Sequence, residues 1–236
     1  MKIITWNLDF WKSGRNHTEE QYNFLFDEFE ADIVLLQEMP DPKFIPTPFQ
    51  HILYKKCKQN WGTGILSKLP LTQIETNTDY AVAGSVNVNN QTLDIVSIYG
   101  SYYNNSLTQN KYVTMMHEII SKISPIILSK NYRNVLIGGD WNLDRTLDGK
   151  SNTKNANQLV FDRLEDMKLT DLISKFIRQP IVTHRHNRGG LFWLDYLYAG
   201  ANFDKWVKNV KIIENKLIIE ISDHNPIILE INLPNS

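Results

Sequence analysis

Short apolar runs that stop on a polar side chain recur along this chain. Lys2–Asn7, Asp32–Gln37 and Asn134–Gly138 are nearly unbroken apolar stretches, which predict strands covered on both faces. Further strands are predicted at Phe49–Cys57, Thr63–Ser67, Val82–Asn89, Thr92–Tyr99, Ile181–Arg185, Leu191–Tyr198, Val207–Ile213 and Asn225–Ile231, with a hairpin turn at Asn89-Asn90-Gln91. Helical spacing replaces this pattern in three places. Thr18-Glu19-Glu20-Gln21 reads as a capping box opening a helix with Tyr22, Leu25, Phe26 and Phe29 on one face. Gln109 to Ile127 places Tyr112, Met115, Met116, Ile119, Ile120 and Ile123 on a core stripe, and Asn155–Met167 is amphipathic. Asp9–Thr18 and the three-proline stretch Met39–Pro48 are expected as loops. Strands and helices alternate without a linker or a composition break, so one α/β domain over residues 1–236 is expected.

The residues that end these strands carry the chemistry. VLIGGDWN presents Asp140 and Asn142 after a buried run and two glycines, where open α/β sheets bind ligands. ITWN closes at Asn7, IVLLQE at Glu38, FWLDY at Asp195, and Ser222-Asp223-His224 precedes the last apolar run. A Gln-Glu or an Asp-Tyr after one strand is commonly a solvated turn. Five acid, amide and imidazole clusters in this order are hard to explain as separate accidents. Hard divalent cations take oxygen ligands, and phosphoester cleavage needs an activated water, neutralised phosphate charge and help for the leaving oxygen. The set supplies each.

Composition narrows the partners. A hydrophobic share of 42%, a charged share of 22% and a net charge of −1 describe an ordinary globular chain and argue against a basic, non-specific nucleic-acid coat. A bound metal and local basic loops can still provide a positive field for a nuclease. No apolar run is long enough for a membrane span. The first strand begins at Lys2, so no signal peptide is expected. The single Cys57 fits a reducing compartment, and cytoplasmic residence is the expectation. Cys57 itself reads as a partly buried strand residue, not a nucleophile.

With Trp6-Asn7, Gln37-Glu38, Gly62-Thr63-Gly64-Ile65-Leu66-Ser67, Gly139-Asp140-Trp141-Asn142, Asp195-Tyr196 and Ser222-Asp223-His224 in this order, the chain resembles the endonuclease/exonuclease/phosphatase superfamily. The resemblance implies a four-layer α/β sandwich of two facing mixed sheets, helices outside and the site at one edge. It implies Glu38 as the principal metal ligand, Asn7 orienting it, and Asp223 and Asp9 beside the metal. Mg²⁺ is the implied ion, with Mn²⁺ as substitute, in one or two copies. Asp140 would orient or deprotonate the attacking water, Asn142 would hold the phosphate, and His224, buttressed by Asp195, would donate to a phosphate oxygen. Tyr99 stands at the end of a strand where the family uses a tyrosine.

Two departures bear on the substrate. Tyr99-Gly100-Ser101-Tyr102 lacks the amide of the family's Tyr-x-Pro-Asn-like sequence, and Trp193-Leu194 stands before Asp195 where the family often has an arginine. The basic stretch His184-Arg185-His186-Asn187-Arg188 and the loop with Lys12, Arg15 and His17 would rim the site. His184, Arg185, Arg188, Lys12 and Arg15 are the substrate-contact candidates. Trp11, Tyr102 and Tyr103 could stack on bases, whereas Trp61 reads as packing against the core. Lys55-Lys56-Cys57-Lys58 reads as the charged face of an edge strand. The leading reading is a metal-dependent nuclease. The alternative is a phosphatase or phospholipase C-like hydrolase of a small phosphoester or lipid head group. A partner-binding protein that kept only the fold fits poorly with the intact acid, amide and histidine set.

Overall fold

Odd and even positions within the apolar runs face different layers. The computed structural model describes residues 1–14, 16–44, 49–58, 60–101, 111–129, 134–148, 155–178 and 180–234. In β1 (Lys2–Asn7) and β2 (Ile33–Pro40), Ile3, Ile33 and Leu35 enter the main core, while Ile4, Trp6, Val34 and Leu36 enter a second apolar cluster with Tyr22, Leu25, Ile218 and Ile221. Each strand is therefore covered on both faces, which is why its sequence does not alternate. The second cluster lies under α2 (Thr18–Asn23), the π-helical segment Phe24–Glu28 that continues it, and α7 (Lys216–Ile221).

The remaining strands are β3 (His51–Lys56), β4 (Trp61–Ser67), β5 (Thr72–Ile74), β6 (Ala81–Val88), β7 (Gln91–Tyr99), β8 (Val135–Asp140), β9 (Thr170–Asp171), β10 (His184–Arg185), β11 (Leu191–Phe192), β12 (Asp195–Ala199), β13 (Val207–Ile212) and β14 (Ile227–Ile231). The other helices are α1 (Phe10–Ser13), α3 (Lys111–Ile127), α4 (Ala156–Asp166), α5 (Leu172–Phe176) and α6 (Ala201–Trp206). One six-stranded sheet runs β13-β14-β1-β2-β4-β3, and the other runs β5-β6-β7-β8-β12-β9. Buried residues of α3 and α4 join the main core outside the second sheet, completing the four layers that the resemblance implied.

Each sheet holds one parallel pair, β1/β2 and β7/β8. A helical crossover joins each pair, as parallel strands require. β1 lies over β8 and β2 over β7, so four strand ends emerge together at one edge of the sandwich. Asn7, Tyr99 and Asp140 are the last residues of theirs, and Glu38 stands two residues before the end of β2. Gly139 makes the last pairing possible: at φ +140°, an added Cβ would sit 1.9 Å from the Ile98 carbonyl oxygen of the neighbouring strand.

Several local expectations need correction. Thr18 is the first helical residue and His17 the N-cap, without a side-chain cap; Glu20 pairs with the His17 ring instead of closing a capping box (2.9 Å). The Asp9–Thr18 loop contains α1, and β2 runs on to Pro40 through a bulge before a 3₁₀ turn at Pro42–Phe44. Tyr112 is exposed, off the buried stripe of α3. Ile181–Arg185 is strand only at its end, and Leu191–Tyr198 is broken at Trp193-Leu194, so Asp195 begins a strand and does not close one. The short elements β5, β9, α5, α6 and α7 carry too few turns or pairs to show a period. Asn89 and Asn90 both take positive φ, 50° and 60°, as a tight hairpin turn demands. Lys55 and Lys56 do lie on edge strand β3, with Lys55 folded onto Glu75, Thr76 and Thr78.

Candidate active site

Asp140, Asp195 and Tyr99 stand side by side across the second sheet, Asp140 being the register partner of both. Two carboxylates directly opposite one another repel. His224 answers that repulsion. Its Nδ1 lies 2.8 Å from Asp195 Oδ2, and its Nε2 lies 3.9 Å from Asp140 Oδ2 and 3.8 Å from Asp223 Oδ1. Burial disfavours the imidazolium, but Asp195 and then Asp140 outweigh it, so its pKa is pushed up to about 9. Asp195 thereby orients the ring and favours its charged form, and neither Nε2 distance is short enough for a hydrogen bond.

Asp140 is 1% exposed and accepts three hydrogen bonds, from Asn7 Nδ2, Asn142 Nδ2 and the Asn142 backbone N–H, each 2.9 Å long. Burial nonetheless raises its pKa well above the ordinary carboxylate range; His224 opposes the rise and Asp195 adds to it. A carboxylate placed this way suits a base working near neutral pH. Asn142 spends its other amide proton on the Gly100 carbonyl (2.8 Å), so holding a phosphate would require exchanging that bond.

Glu38 sits in the β2 bulge at φ 49°, with Tyr99 donating its hydroxyl to Oε1 at 3.2 Å. Asp9 (φ 52°) and Asn142 (φ 52°) share the left-handed conformation. Such backbone costs about 1–3 kcal/mol per residue and gathers where function needs it. Asn7 is held at both ends of its amide, donating to Asp140 and accepting from the Asp9 N–H (2.9 Å). Asp9 and Asp223 both face Lys12, at 3.9 Å for Asp9 and in direct contact for Asp223. Burial raises the Asp9 pKa despite Lys12.

The Ser222-Asp223-His224 turn is stapled to the end of β1. Ser222 Oγ donates to the Asn7 carbonyl (2.8 Å) and accepts the His224 N–H (3.0 Å), while Trp6 Nε1 donates to the His224 carbonyl (2.9 Å). Gln21 Nε2 bridges the carbonyls of Leu8 and Ile221, both at 2.7 Å. Thr183 Oγ1 accepts the N–H groups of Leu194 (2.9 Å) and Asp195 (3.0 Å), and Asp144 Oδ2 accepts that of Trp193 (3.0 Å). Sequence reading passed over Ser222's clasp, Gln21, Thr183 and Asp144. Each acts on backbone far away in the chain, and no spacing announces that.

The departures also find an account. Trp193 is buried, and the Arg145 guanidinium stacks 5.0 Å from its ring and 4.3 Å from Phe161 while bonding Asp171 and Tyr198. Trp193 thus belongs to a packed box behind the site. Of the basic candidates, His184 and Lys12 reach the site through Asp223, with His184 Nε2 at 3.3 Å from it. Arg185 turns away to Asn225 (2.7 Å) and Glu214 (2.8 Å), against the expectation of a rim contact. Arg188 is at the exposed β10–β11 turn. Arg15, Tyr102 and Tyr103 lie outside the described residues, as does the side chain of Trp11. Trp61 is buried with its ring edge-on to Tyr99 at 4.9 Å, which is packing. Burial pushes the Cys57 thiol pKa up to about 12, which disfavours the nucleophilic thiolate.

Residues 4–224 match the Endonuclease/Exonuclease/phosphatase family. The chain belongs to that family. This family member is accordingly a hydrolase of phosphoester bonds. No curated protein sequence matches it significantly. Among solved structures, a 3′ phosphatase from Neisseria bound to a product DNA hairpin is similar at 18% identity and TM-score 0.78, covering 99% of this chain and 100% of that one. An AP endonuclease from Archaeoglobus fulgidus is similar at 16% identity and TM-score 0.76, covering 99% and 100%. D. rerio TDP2 complexed with single-strand DNA product aligns at 16% identity and TM-score 0.67, covering 99% of each chain. At these identities the likeness establishes the shared fold.

Proposed function

We propose that this family member is a divalent-metal-dependent nuclease that hydrolyses phosphodiester bonds by activated-water attack. The observation that carries the reading is His224 held between two buried carboxylates, Asp195 at 2.8 Å and Asp140 at 3.9 Å. That arrangement provides a base and an oriented proton donor within one site. The DNA-bound relatives support nucleic acid as the substrate class. Among the described residues, no helix is long and apolar enough to cross a membrane.

The donor chemistry fits a hard cation. Glu38, Asn7, Asp9 and Asp223 offer carboxylate and amide oxygens at one edge of the sandwich; their ligand atoms do not form one tight cluster, so Glu38 would hold Mg²⁺, with Mn²⁺ as substitute, and the others would close on it directly or through the waters that such an ion keeps. Bound there, the ion supplies charge neutralisation for the phosphate oxygens. Asp140, kept still by Asn7 and Asn142, orients the attacking water and accepts its proton. His224 donates from Nε2 to a phosphate oxygen as negative charge develops. Tyr99 steadies Glu38 through its hydroxyl. Lys12, His184, Arg188 and Arg15 are the groups proposed to meet the remaining phosphates.

A panel of purified substrates tests this reading: abasic duplex, single-stranded DNA, RNA, a 3′-phosphate end and a phosphoinositide, each with Mg²⁺ and with EDTA. The expected result is metal-dependent cleavage of a nucleic acid, abolished in EDTA and in Glu38→Gln while the fold persists by circular dichroism. Cleavage of the phosphoinositide alone, or normal turnover in EDTA, would overturn it.

A further inference from the structure

β10 brings a second histidine against the first. His184 and His224 are opposite one another on an isolated antiparallel bridge, and flanking bonds from Arg185 N–H to the Asp223 carbonyl (2.8 Å) and from Asn225 N–H to the Thr183 carbonyl (2.7 Å) lock the two segments together. The rings lie 4.6 Å apart at 53°. Asp223, between them in sequence and space, has Oδ2 at 3.3 Å from His184 Nε2 and Oδ1 at 3.8 Å from His224 Nε2. One ligand atom from each of the three side chains falls within 4.8 Å of the others.

Those separations suit a particular class of ion. Bonds of about 2.0–2.1 Å to nitrogen and oxygen place neighbouring ligands of a tetrahedral zinc ion roughly 3.3–3.4 Å apart. His184 Nε2 is already at that distance from Oδ2 of Asp223, while His224 Nε2 is 3.8 Å from the other oxygen, Oδ1, and one ligand atom from each of the three side chains lies within 4.8 Å of the others, so the side chains close in by up to about 1.5 Å to share one ion. Mg²⁺ favours oxygen donors and dehydrates reluctantly, whereas two imidazoles and a carboxylate favour Zn²⁺ and its borderline neighbours. A carboxylate behind the metal-binding imidazole strengthens such sites. Asp195 occupies that position on His224 Nδ1. A cation stands at Asp223 now, the half-exposed Lys12 ammonium, which can swing into solvent.

We infer that His184, Asp223 and His224 form a second metal site that takes a zinc-type ion and, when filled, silences the hydrolase by occupying His224 Nε2. Lys12 leaves Asp223, His224 releases its Nε2 proton to solvent, the ion takes one ligand atom from each side chain, and a water completes the tetrahedron. The site itself stands on geometry. The silencing rests on the nuclease reading, because it requires His224 to be the phosphate donor.

Metal-free protein titrated with Co²⁺ reads the site directly, since four-coordinate cobalt with nitrogen ligands gives intense visible bands that six-coordinate cobalt lacks. The bands are expected at one equivalent, displaced by Zn²⁺, retained in Glu38→Gln and lost in both His184→Ala and His184→Gln, with thermal melts confirming that the variants fold. Lys12→Ala should bind Co²⁺ at least as tightly as wild type. Bands that survive in the folded His184 variants, or only weak six-coordinate absorption in wild type, would overturn the site. In the Mg²⁺-driven reaction, Zn²⁺ should inhibit wild type at a concentration at least about tenfold lower than His184→Ala, each measured against its own zinc-free rate. Equal inhibition of both would overturn the silencing. A wild type inactive on every substrate would refute the nuclease reading and leave the cobalt measurement to decide the site.

Discussion

The inner wall of the site and its mouth are built differently. Asn7, Asp140 and Asp195 are each 1% exposed and His224 is 5% exposed, and their backbones or side chains are held by Ser222, Trp6, Thr183 and Asn142. At the mouth, the Lys12 side chain is 43% exposed, and its partners Asp9 and Asp223 are 14% and 16% exposed. Under the proposed function the wall would handle protons and gain from preorganisation, because a donor already aimed at developing charge costs no reorganisation during reaction. The mouth would handle cations, which must enter and leave. Half-exposed ion pairs exchange easily and contribute little to stability.

That contrast can be broken at several places. The largest effect is expected from Asp140→Asn, which keeps the shape of the wall and removes its proposed base. Its kcat should fall by roughly 10²–10⁴ with KM little changed, and steady-state kinetics decides. A loss confined to KM would move Asp140 from chemistry to binding.

Next comes the His224–Asp195 pair. His224→Ala should cost roughly 10²–10³ in kcat, and the double variant with Asp195→Ala little more. Fully additive losses would mean that the two act separately. In metal-free protein, an NMR titration of His224 should have its midpoint near pH 9 and a lower one in Asp195→Asn. The folded pKa exceeds that of a free histidine. The stability from pairing is therefore fully present below about pH 6.5 and lost as the pH rises through about 9.

A smaller change is expected behind the wall. Thr183→Val leaves the N–H groups of Leu194 and Asp195 without their shared acceptor, which should destabilise the protein by about 1–3 kcal/mol in urea unfolding. The smallest belongs to the mouth: Lys12→Ala should change stability by no more than about 1 kcal/mol in the same measurement. A larger loss there would mean that the mouth is as rigid as the wall.

Much of this protein was legible in its residues. The two-sided apolar runs KIITWN and VLIGGD marked central strands, because only a strand covered on both faces reads without alternation. A polar residue directly after such a run is expected at a strand end, and Asn7 and Asp140 are there, while Glu38 sits in a bulge two residues before β2 ends. Asp195 and His224 were recognised from motifs although the strand boundary at Asp195 was misplaced. Burial at both faces, period and motif are local properties, and local properties survive in a one-dimensional record.

The tertiary structure alone decided the rest. Stacking β1 over β8 and β2 over β7 brought Asn7 to Asp140 and Glu38 to Tyr99, pairs separated by 133 and 61 residues. Arg185 was drawn out of the rim by Asn225 and Glu214, and His184 was placed beside His224, two outcomes that neighbouring residues of one basic run could not distinguish. In a strand, successive side chains point to opposite sides, so residues alike in charge and adjacent in sequence meet different partners. Those partners come from segments whose positions depend on how the two sheets pack.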